Sequence, residues 1–336
     1  MHDRRIRDGR PTRRIGVLGV VLLASELGAT PLWAQGPTAA AGAPGGCTQD
    51  APAAGGHACG LEFTVPQIDD LQDFHGDPAH PKLTLYVGGN YFFAMPALVD
   101  VFERLHPAYR GSIYWETIPP GLLMVQLQAG GTITVGGMTW TVRPDVYLAG
   151  YRKVQQYVRA GLLEAPAVPY VTNTLTIMVP RGNPAHIHGL TDLAAPGLRL
   201  AMPNPRFEGI ALQIQQALVK AGGERLLIAV YHTKVQDGST LLTQIHHRQT
   251  PLWILQGRVQ AAVTWQSEAL YQEQAGHPIS QVAIPAAQNS TGVYAGATVA
   301  GAPHAGAARL WLQFLRSPAA LAVFEHYGFR PYSPAR

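Results

Sequence analysis

Apolar residues follow two different periods in the first part of the chain that can build a core. Leu83–Val87 alternates as a β-strand does and stops at Gly88-Gly89. Apolar residues then recur every three or four positions over Met95–Leu105, which predicts a helix with one face on a sheet. His106-Pro107 ends that helix, because proline cannot continue it. The segment is therefore predicted to be a strand followed by a helix.

The same two periods recur to the end of the chain. Strands are predicted at residues 112–115, 132–135, 139–142, 145–148, 175–179, 198–201, 261–265, 281–284 and 292–299. Helices are predicted at residues 122–129, 154–160, 209–220, 267–275 and 305–327. Gly136-Gly137 is expected to form a hairpin turn between two of the strands. Strands that alternate with helices predict parallel α/β sheets, with the folded part beginning near Pro81.

Residues 1–34 are predicted to be an export signal that is cleaved after Ala34. Six arginines precede the apolar run at residues 15–24. Such a run spans about 15 Å as a helix, roughly half of a bilayer's hydrocarbon core, so a membrane anchor is the weaker interpretation. Arg13-Arg14 resembles the pair of a twin-arginine signal, and the general and twin-arginine export routes both stay open.

Residues 35–81 are predicted to be a linker, because glycine, alanine and proline dominate the first half and large apolar residues are few. Its two cysteines, Cys47 and Cys59, would reach an oxidising compartment on export, where a disulfide between them can persist. Such a bridge would close a loop in a tail rather than in a packed core. We therefore expect it to contribute little to stability.

The composition is that of a globular chain. Of 336 residues, 47% are apolar and 14% are charged, which excludes a disordered polyampholyte and leaves length for two domains. The net charge is +4, but residues 1–34 hold most of it, with six arginines against three acidic residues. The remainder has no basic run, which argues against nucleic-acid binding.

Signatures of catalysis are missing from the sequence, which has no Gly-x-Gly-x-x-Gly, no His-Glu-x-x-His and no Gly-x-Ser-x-Gly. An enzyme is therefore disfavoured, and no catalytic residue is predicted. His186 and His188 are interpreted as a solvated loop, and the pair His246-His247 is not assigned as a ligand set either, so no metal or cofactor is predicted. The aromatic run 91–93 is either a stacking platform or the buried start of a helix.

Several stretches between residues 82 and 330 match a known family. They are Phe102-Glu103, residues 126–130, residues 144–147, residues 198–203 with 209–211, and the closing segment 317–329, which is the most specific. Together with the order of elements, they make the chain resemble the type II periplasmic binding proteins, most closely the molybdate-binding proteins of ABC importers.

The resemblance implies an α/β, two-lobe type II periplasmic binding protein fold with hinge crossover strands, near residues 170–179 and 282–299. Lobe one would be residues 82–170 plus 281–330, and lobe two residues 171–280. It also implies a monomeric, periplasmic solute-binding protein that passes a molybdate- or tungstate-like oxyanion to an ABC permease in the inner membrane. A binding protein for a small organic solute and a secreted enzyme on the same fold are the alternatives.

Ligand capture in such proteins resembles anion binding generally, with backbone N–H groups at helix amino ends and nearby hydroxyls. On the matching loops of this chain, the resemblance implies Asn90, Thr117, Glu208, Ser239 and Trp265 as ligand-binding residues. Asn90 is expected to cap its helix as well. Trp265 stands where the family commonly has a tyrosine.

Three departures from the family pattern bear on the ligand. Pro119-Pro120 removes backbone donors from the second loop. Glu208 would oppose an oxyanion if its carboxylate faced the cleft. Trp265, Tyr91 and Glu208 together would instead suit an organic or partly cationic solute. Asp145, at the start of a strand, is expected to bond neighbouring backbone N–H groups rather than ligand.

Overall fold

The computed structural model describes residues 74–135, 137–244 and 246–334, all within one compact unit of the chain, Cys47–Arg336. The predicted export signal, the pairing of Cys47 with Cys59 and most of the predicted linker lie outside the described residues. Among the helices that are described, none has the length and apolar character needed to cross a bilayer.

The described residues form thirteen strands and nine α-helices. Strands β1 to β13 are Phe74–His75, Leu83–Val87, Ile113–Glu116, Thr132–Val135, Met138–Thr141, Val146–Gly150, Val168–Pro180, Leu200–Met202, Thr240–Leu242, Ala261–Trp265, Ile279–Ala283, Thr291–Thr298 and Arg330–Pro331. Helices α1 to α9 are Met95–Leu105, Pro120–Gln128, Tyr151–Arg159, Gly209–Ile228, Lys234–Gln236, Gln249–Leu255, Gln266–Gln274, Ala305–Phe314 and Pro318–His326. Nearly all predicted elements are present, and β9 and α6 are the main ones that the sequence pattern missed.

Eleven of the described strands form one sheet, in the order β1-β3-β2-β6-β12-β7-β10-β8-β9, with β11 and β13 also paired to β7. β2 is parallel to β3 and β6, and β8 is parallel to β9 and β10. However, β12 and β7 in the middle run antiparallel to their neighbours. The prediction of parallel sheets is therefore wrong at the centre, because the chain crosses between two parallel halves along these strands.

Strand β7 joins the two halves of the sheet. Its first part pairs with β12 as far as Thr174, and its second part, from Leu175 onward, pairs with β10 and β11. One continuous strand of thirteen residues thus belongs to both halves. This is the two-lobe arrangement with a crossover strand that the sequence predicted, while the residue-level lobe boundaries stay a prediction.

The sheet begins earlier in the chain than the sequence predicted. Phe74 and His75 pair antiparallel with Glu116 and Trp115 of β3, and the His75 ring stacks on Trp115 with centroids 4.6 Å apart. The last part of the predicted linker, residues 35–81, is therefore an edge strand with its following turn. A strand of two residues is too short to produce a visible period.

The closing segment is two helices rather than the one predicted over residues 305–327. α8 ends at Phe314, and Ser317 caps α9, with its hydroxyl oxygen accepting the Ala320 N–H at 3.3 Å. Pro318 occupies the first position of α9, where its missing N–H costs nothing. The apolar period continues across the break because buried side chains of both helices belong to the same core cluster.

An aromatic cluster in the core contains Tyr91, which is fully buried. Its hydroxyl lies 2.6 Å from that of Tyr170, and its ring makes edge contacts with Tyr294, Phe324 and Phe329. Burial, followed by the neighbouring Tyr170, raises the pKa of Tyr91 well above its usual value. The buried interpretation of Tyr91 is thus confirmed, and the suggestion that it suits a ligand is wrong.

Candidate functional site

Carboxyl ends of parallel strands from both halves of the sheet meet at one cavity. In open α/β sheets this is the edge where ligands bind. The cavity has a volume of about 770 Å³. The half containing β2 and β6 contributes Asn90 and Gly150, the half containing β8 and β10 contributes Glu208 and Trp265, and β12 lies between them with residues 291–294.

Four helices direct their amino ends at this cavity. The lining includes the first residues of α2, α3 and α4 and the residue preceding α7, and these are Pro120, Tyr151, Gly209 and Trp265. The first N–H groups of a helix have no partner within it, and the helix dipole makes that end positive. Because Pro119 precedes α2 and Pro120 is its first residue, this helix offers fewer N–H groups than the others. The arrangement favours a bound negative charge.

Charged side chains reinforce that preference. Among the described residues that line the cavity, Arg152, Lys153, Arg159 and Arg206 are cationic, and Glu208 is the one acidic residue. The three arginines are exposed to water, and the Lys153 ammonium lies 5.4 Å from the ring centre of Tyr157. The mouth of the cavity is therefore positively charged, which would attract anions over a distance of about a Debye length.

Glu208 forms part of the wall, and both of its carboxylate oxygens are already occupied. Oε1 accepts from the Thr243 hydroxyl and, at 3.3 Å, from the Asn204 N–H. Oε2 accepts from the backbone N–H of His247 at 2.5 Å and lies 3.0 Å from its Nδ1. Glu208 precedes α4 but its side chain does not cap that helix. Its charge is thus held by donors from the loops after β8 and β9 instead of being free in the cleft.

His246 and His247 follow β9 and complete this wall. Their ring centroids lie 3.9 Å apart, and each residue is 2% exposed. His246 Nδ1 accepts the backbone N–H of Arg248 at 3.2 Å. Burial, then the nearby His247 and Arg248, hold the pKa of His246 well below its usual value. His246 is accordingly neutral at physiological pH.

Glu208, His246 and His247 are the described residues whose ligand atoms could hold a metal ion, since these atoms lie within 4.8 Å of one another. Two contacts oppose that use. Both oxygens of Glu208 accept hydrogen bonds, and the Nδ1 lone pair of His246 is directed at a backbone N–H. These hydrogen bonds would compete with a metal ion for the same atoms, so we assign no metal to the cluster.

Of the residues implied by the resemblance, Asn90, Glu208 and Trp265 line the cavity. Asn90 lies inside the 3-10 turn Gly89–Ala94 and donates from Nδ2 to the Tyr294 hydroxyl at 3.3 Å. It caps neither that turn nor α1, so the capping prediction is wrong.

Trp265 is 4% exposed, and its indole packs against the backbone of β12. The ring centroids of Trp265 and Tyr294 are 5.9 Å apart, and a Cβ placed on Gly292 would lie 2.4 Å from Cη2 of the indole. The indole Nε1 has no hydrogen-bond partner among the described residues. Trp265 thus lines the cavity with a firmly packed ring, whose Nε1 is able to donate a hydrogen bond.

The structure places Thr117 and Ser239 outside the set of residues that line the cavity. Thr117 is completely buried, and its carbonyl oxygen lies behind Gly89, 2.9 Å from where a Cβ would be. Ser239 precedes β9, at the amino end of that strand, and donates to the Asp237 carboxylate at 2.5 Å. The prediction chose the wrong end of β9, since the carboxyl end of the strand is the one that reaches the cavity.

Other candidate residues behave as structural groups. His186 and His188 are exposed on either side of the buried Ile187, which confirms the solvated loop. Asp145 is fully buried and accepts the backbone N–H groups of Thr84 at 2.8 Å and His304 at 2.6 Å. Its predicted role towards backbone is confirmed.

A fold of two α/β halves joined by crossover strands, with an anion-favouring cavity between them, defines a solute-binding protein. The family model described as "Bacterial extracellular solute-binding protein" matches residues 83–330. The chain belongs to this family, whose members are binding proteins rather than enzymes.

Individual relatives agree with this assignment. The chain is 26% identical, over 202 residues, to a sulfate-binding protein of Synechococcus elongatus, a match that spans 56% of this chain and only 57% of that relative. Solved structures with a similar fold include a sulfate-binding protein from Mycobacterium tuberculosis (TM-score 0.60, 21% identity, 76% of this chain and 88% of the other). They also include the periplasmic molybdate-binding protein of Azotobacter vinelandii (TM-score 0.58, 15% identity, 75% and 100%).

Proposed function

We propose that this chain is the periplasmic binding component of an ABC importer and captures a small anion in the cavity between the two halves of its sheet. The observation that carries the proposal is the joint arrangement of four helix amino ends and four cationic side chains around a single cavity. Fixed dipoles of this kind bind an anion without the cost of reorganising solvent around it.

The site residues in this proposal are Asn90, Glu208 and Trp265, together with the loop residues His246 and His247. Asn90 and Trp265 supply donors. Glu208 instead holds the loops after β8 and β9 in place, through four hydrogen bonds with donors on Asn204, Thr243 and His247. A permease in the inner membrane is the proposed partner, and the cleft is expected to close by hinge motion at the crossover strands.

Relatives that bind sulfate and molybdate support an inorganic oxyanion as the ligand. One observation favours a small organic anion as the second candidate. A cavity of about 770 Å³ is of the size that holds an organic ligand, and the rings of Tyr151, Phe207 and Trp265 are part of its lining. Molybdate, tungstate and sulfate are therefore the first probes, and small organic anions and amines are the second.

A thermal-shift titration of the mature chain with these probes tests the proposal. A ligand at a hundredfold excess over its Kd stabilises the native state by about 2.7 kcal/mol, which is an easily measured rise in Tm. Arg206→Ala should reduce the shift, because Arg206 lines the cavity. The matched control is Arg199→Ala, since Arg199 is exposed and does not line the cavity. A rise in Tm with neutral or cationic solutes alone would contradict anion capture.

A further inference from the structure

Two neighbouring imidazoles in the cavity wall present opposite hydrogen-bonding atoms. His247 Nδ1 lies 3.0 Å from Glu208 Oε2, and an ionised carboxylate can only accept, so this nitrogen carries the hydrogen. In a neutral imidazole the Nε2 of His247 is then a bare acceptor. His246 Nδ1 accepts the N–H of Arg248 at 3.2 Å, so the hydrogen of His246 is on Nε2. The wall therefore offers one acceptor beside one donor.

The acceptor has no partner in the part of the chain that the structure describes. His247 is 2% exposed, its Nε2 is shielded from water, and no described group donates to it. Buried polar atoms are nearly always hydrogen-bonded, and His247 is one of the residues that line the cavity, so its unsatisfied acceptor points to a donor supplied by a ligand on closure of the cleft. The donor, His246 Nε2, lies by the first loop, 3.3 Å from where a Cβ on Gly89 would be. The pair thus sits where the two halves of the sheet meet.

We propose that the cavity selects an oxyanion that keeps a hydrogen on one of its oxygens at neutral pH, such as hydrogen phosphate, and that His247 Nε2 accepts that hydrogen. A fully deprotonated oxyanion such as sulfate or molybdate offers only lone pairs, which would face the lone pair of His247. Helix amino ends and cationic side chains attract both kinds of anion alike. The inference rests on the proposed function and narrows its ligand.

Calorimetric titration with phosphate and with sulfate at about pH 8 tests the inference, because hydrogen phosphate carries one hydrogen that sulfate lacks. Both are tetrahedral dianions under these conditions, and an ordinary imidazole is neutral. Phosphate should bind about tenfold to a hundredfold more tightly than sulfate, because sulfate leaves the acceptor unsatisfied. Molybdate should behave as sulfate does.

The variant His247→Asn tests the role of the nitrogen itself. The asparagine amide can occupy the position of Nδ1 and still donate to Glu208, while the Nε2 atom is deleted. The preference for phosphate should then fall to about threefold or less, which is smaller than the contribution of one typical hydrogen bond to affinity. His188→Asn is the control, because His188 lies in an exposed loop, and it should keep the full preference.

Each possible result supports or overturns either the inference or the proposed function. Sulfate binding as tightly as phosphate overturns the inference but leaves anion capture standing, as does a preference that survives in His247→Asn. Failure of every anion to bind overturns the proposed function instead. Binding of Zn²⁺ that His247→Asn abolishes would show that the cluster is a metal site, which also overturns the inference. Should His247→Asn fail to fold, the ratio measured on the unmodified chain still decides.

Discussion

A methyl group added at Gly292 should disrupt the packing of the Trp265 indole on β12. An ideal Cβ at this position would lie 2.4 Å from Cη2, 2.9 Å from Cζ3 and 3.2 Å from Cζ2 of the indole. Non-bonded carbon atoms prefer separations of about 3.5–4.0 Å, so either the indole turns or β12 shifts. The indole has little room to turn, because it is 4% exposed and packs against Tyr294.

Overpacking of this kind costs about 1–3 kcal/mol. For a domain of this size each kcal/mol lowers Tm by roughly 2–4 °C, so Gly292→Ala should melt roughly 2–12 °C below the parent chain. Near-UV circular dichroism should change as well, since it reports the packing of the indole. Thermal unfolding followed by circular dichroism measures both effects on one sample.

Gly189→Ala is the matched control. A Cβ at Gly189 meets nothing within 4 Å, and its φ of −174° is extended backbone that alanine adopts. Its free energy of unfolding should change by no more than about 0.5 kcal/mol, as for a surface substitution, so its Tm should stay close to that of the parent chain. A Gly292→Ala protein with the Tm and near-UV spectrum of the parent would refute the packing of Trp265 on β12.

Three further predictions concern other parts of the chain. Burial holds the pKa of His246 below its usual 6.5, so the unfolded state binds the proton more tightly than the folded state does. The free energy of unfolding should therefore fall as the pH drops below about 6.5. In urea titrations, His246→Gln should lose the part of this pH dependence that His246 contributes. Trp265→Ala should weaken ligand binding by ~1–3 kcal/mol and remove the ligand-induced fluorescence change, both measured by titration. Replacing Cys47 and Cys59 by serine should leave Tm nearly unchanged in thermal unfolding, and a fall of about 10 °C would contradict the view that they lie in a tail.

The sequence predicted strands and helices well where apolar residues keep one period for several turns. β10, Ala261–Trp265, and α1, Met95–Leu105, agree with the prediction to the residue. Failures occurred where elements are too short for a period, as in β9 and α6, or where two helices share one buried face, as in α8 and α9. The antiparallel centre of the sheet also escaped prediction, because strand direction depends on how the chain crosses between the two halves.

Loop position brought three of the predicted residues to the cavity lining, while their ligand-binding role stays a prediction. Asn90 and Glu208 follow, and Trp265 ends, a strand that was recognised from the sequence. Ser239 failed because β9 was not recognised, which hid the fact that His246 and His247 follow its carboxyl end. The contact of Glu208 with His247 joins residues distant in sequence, and no local pattern could reveal it.

The central claim, anion capture between the two halves of the sheet, is tested most directly by a crystal structure of the protein with the anion that raises Tm most. The account predicts the anion inside the cavity, against the amino end of α4 at Gly209 and within hydrogen-bond distance of His247 Nε2. An anion bound elsewhere on the surface, with this cavity holding only water, would contradict it.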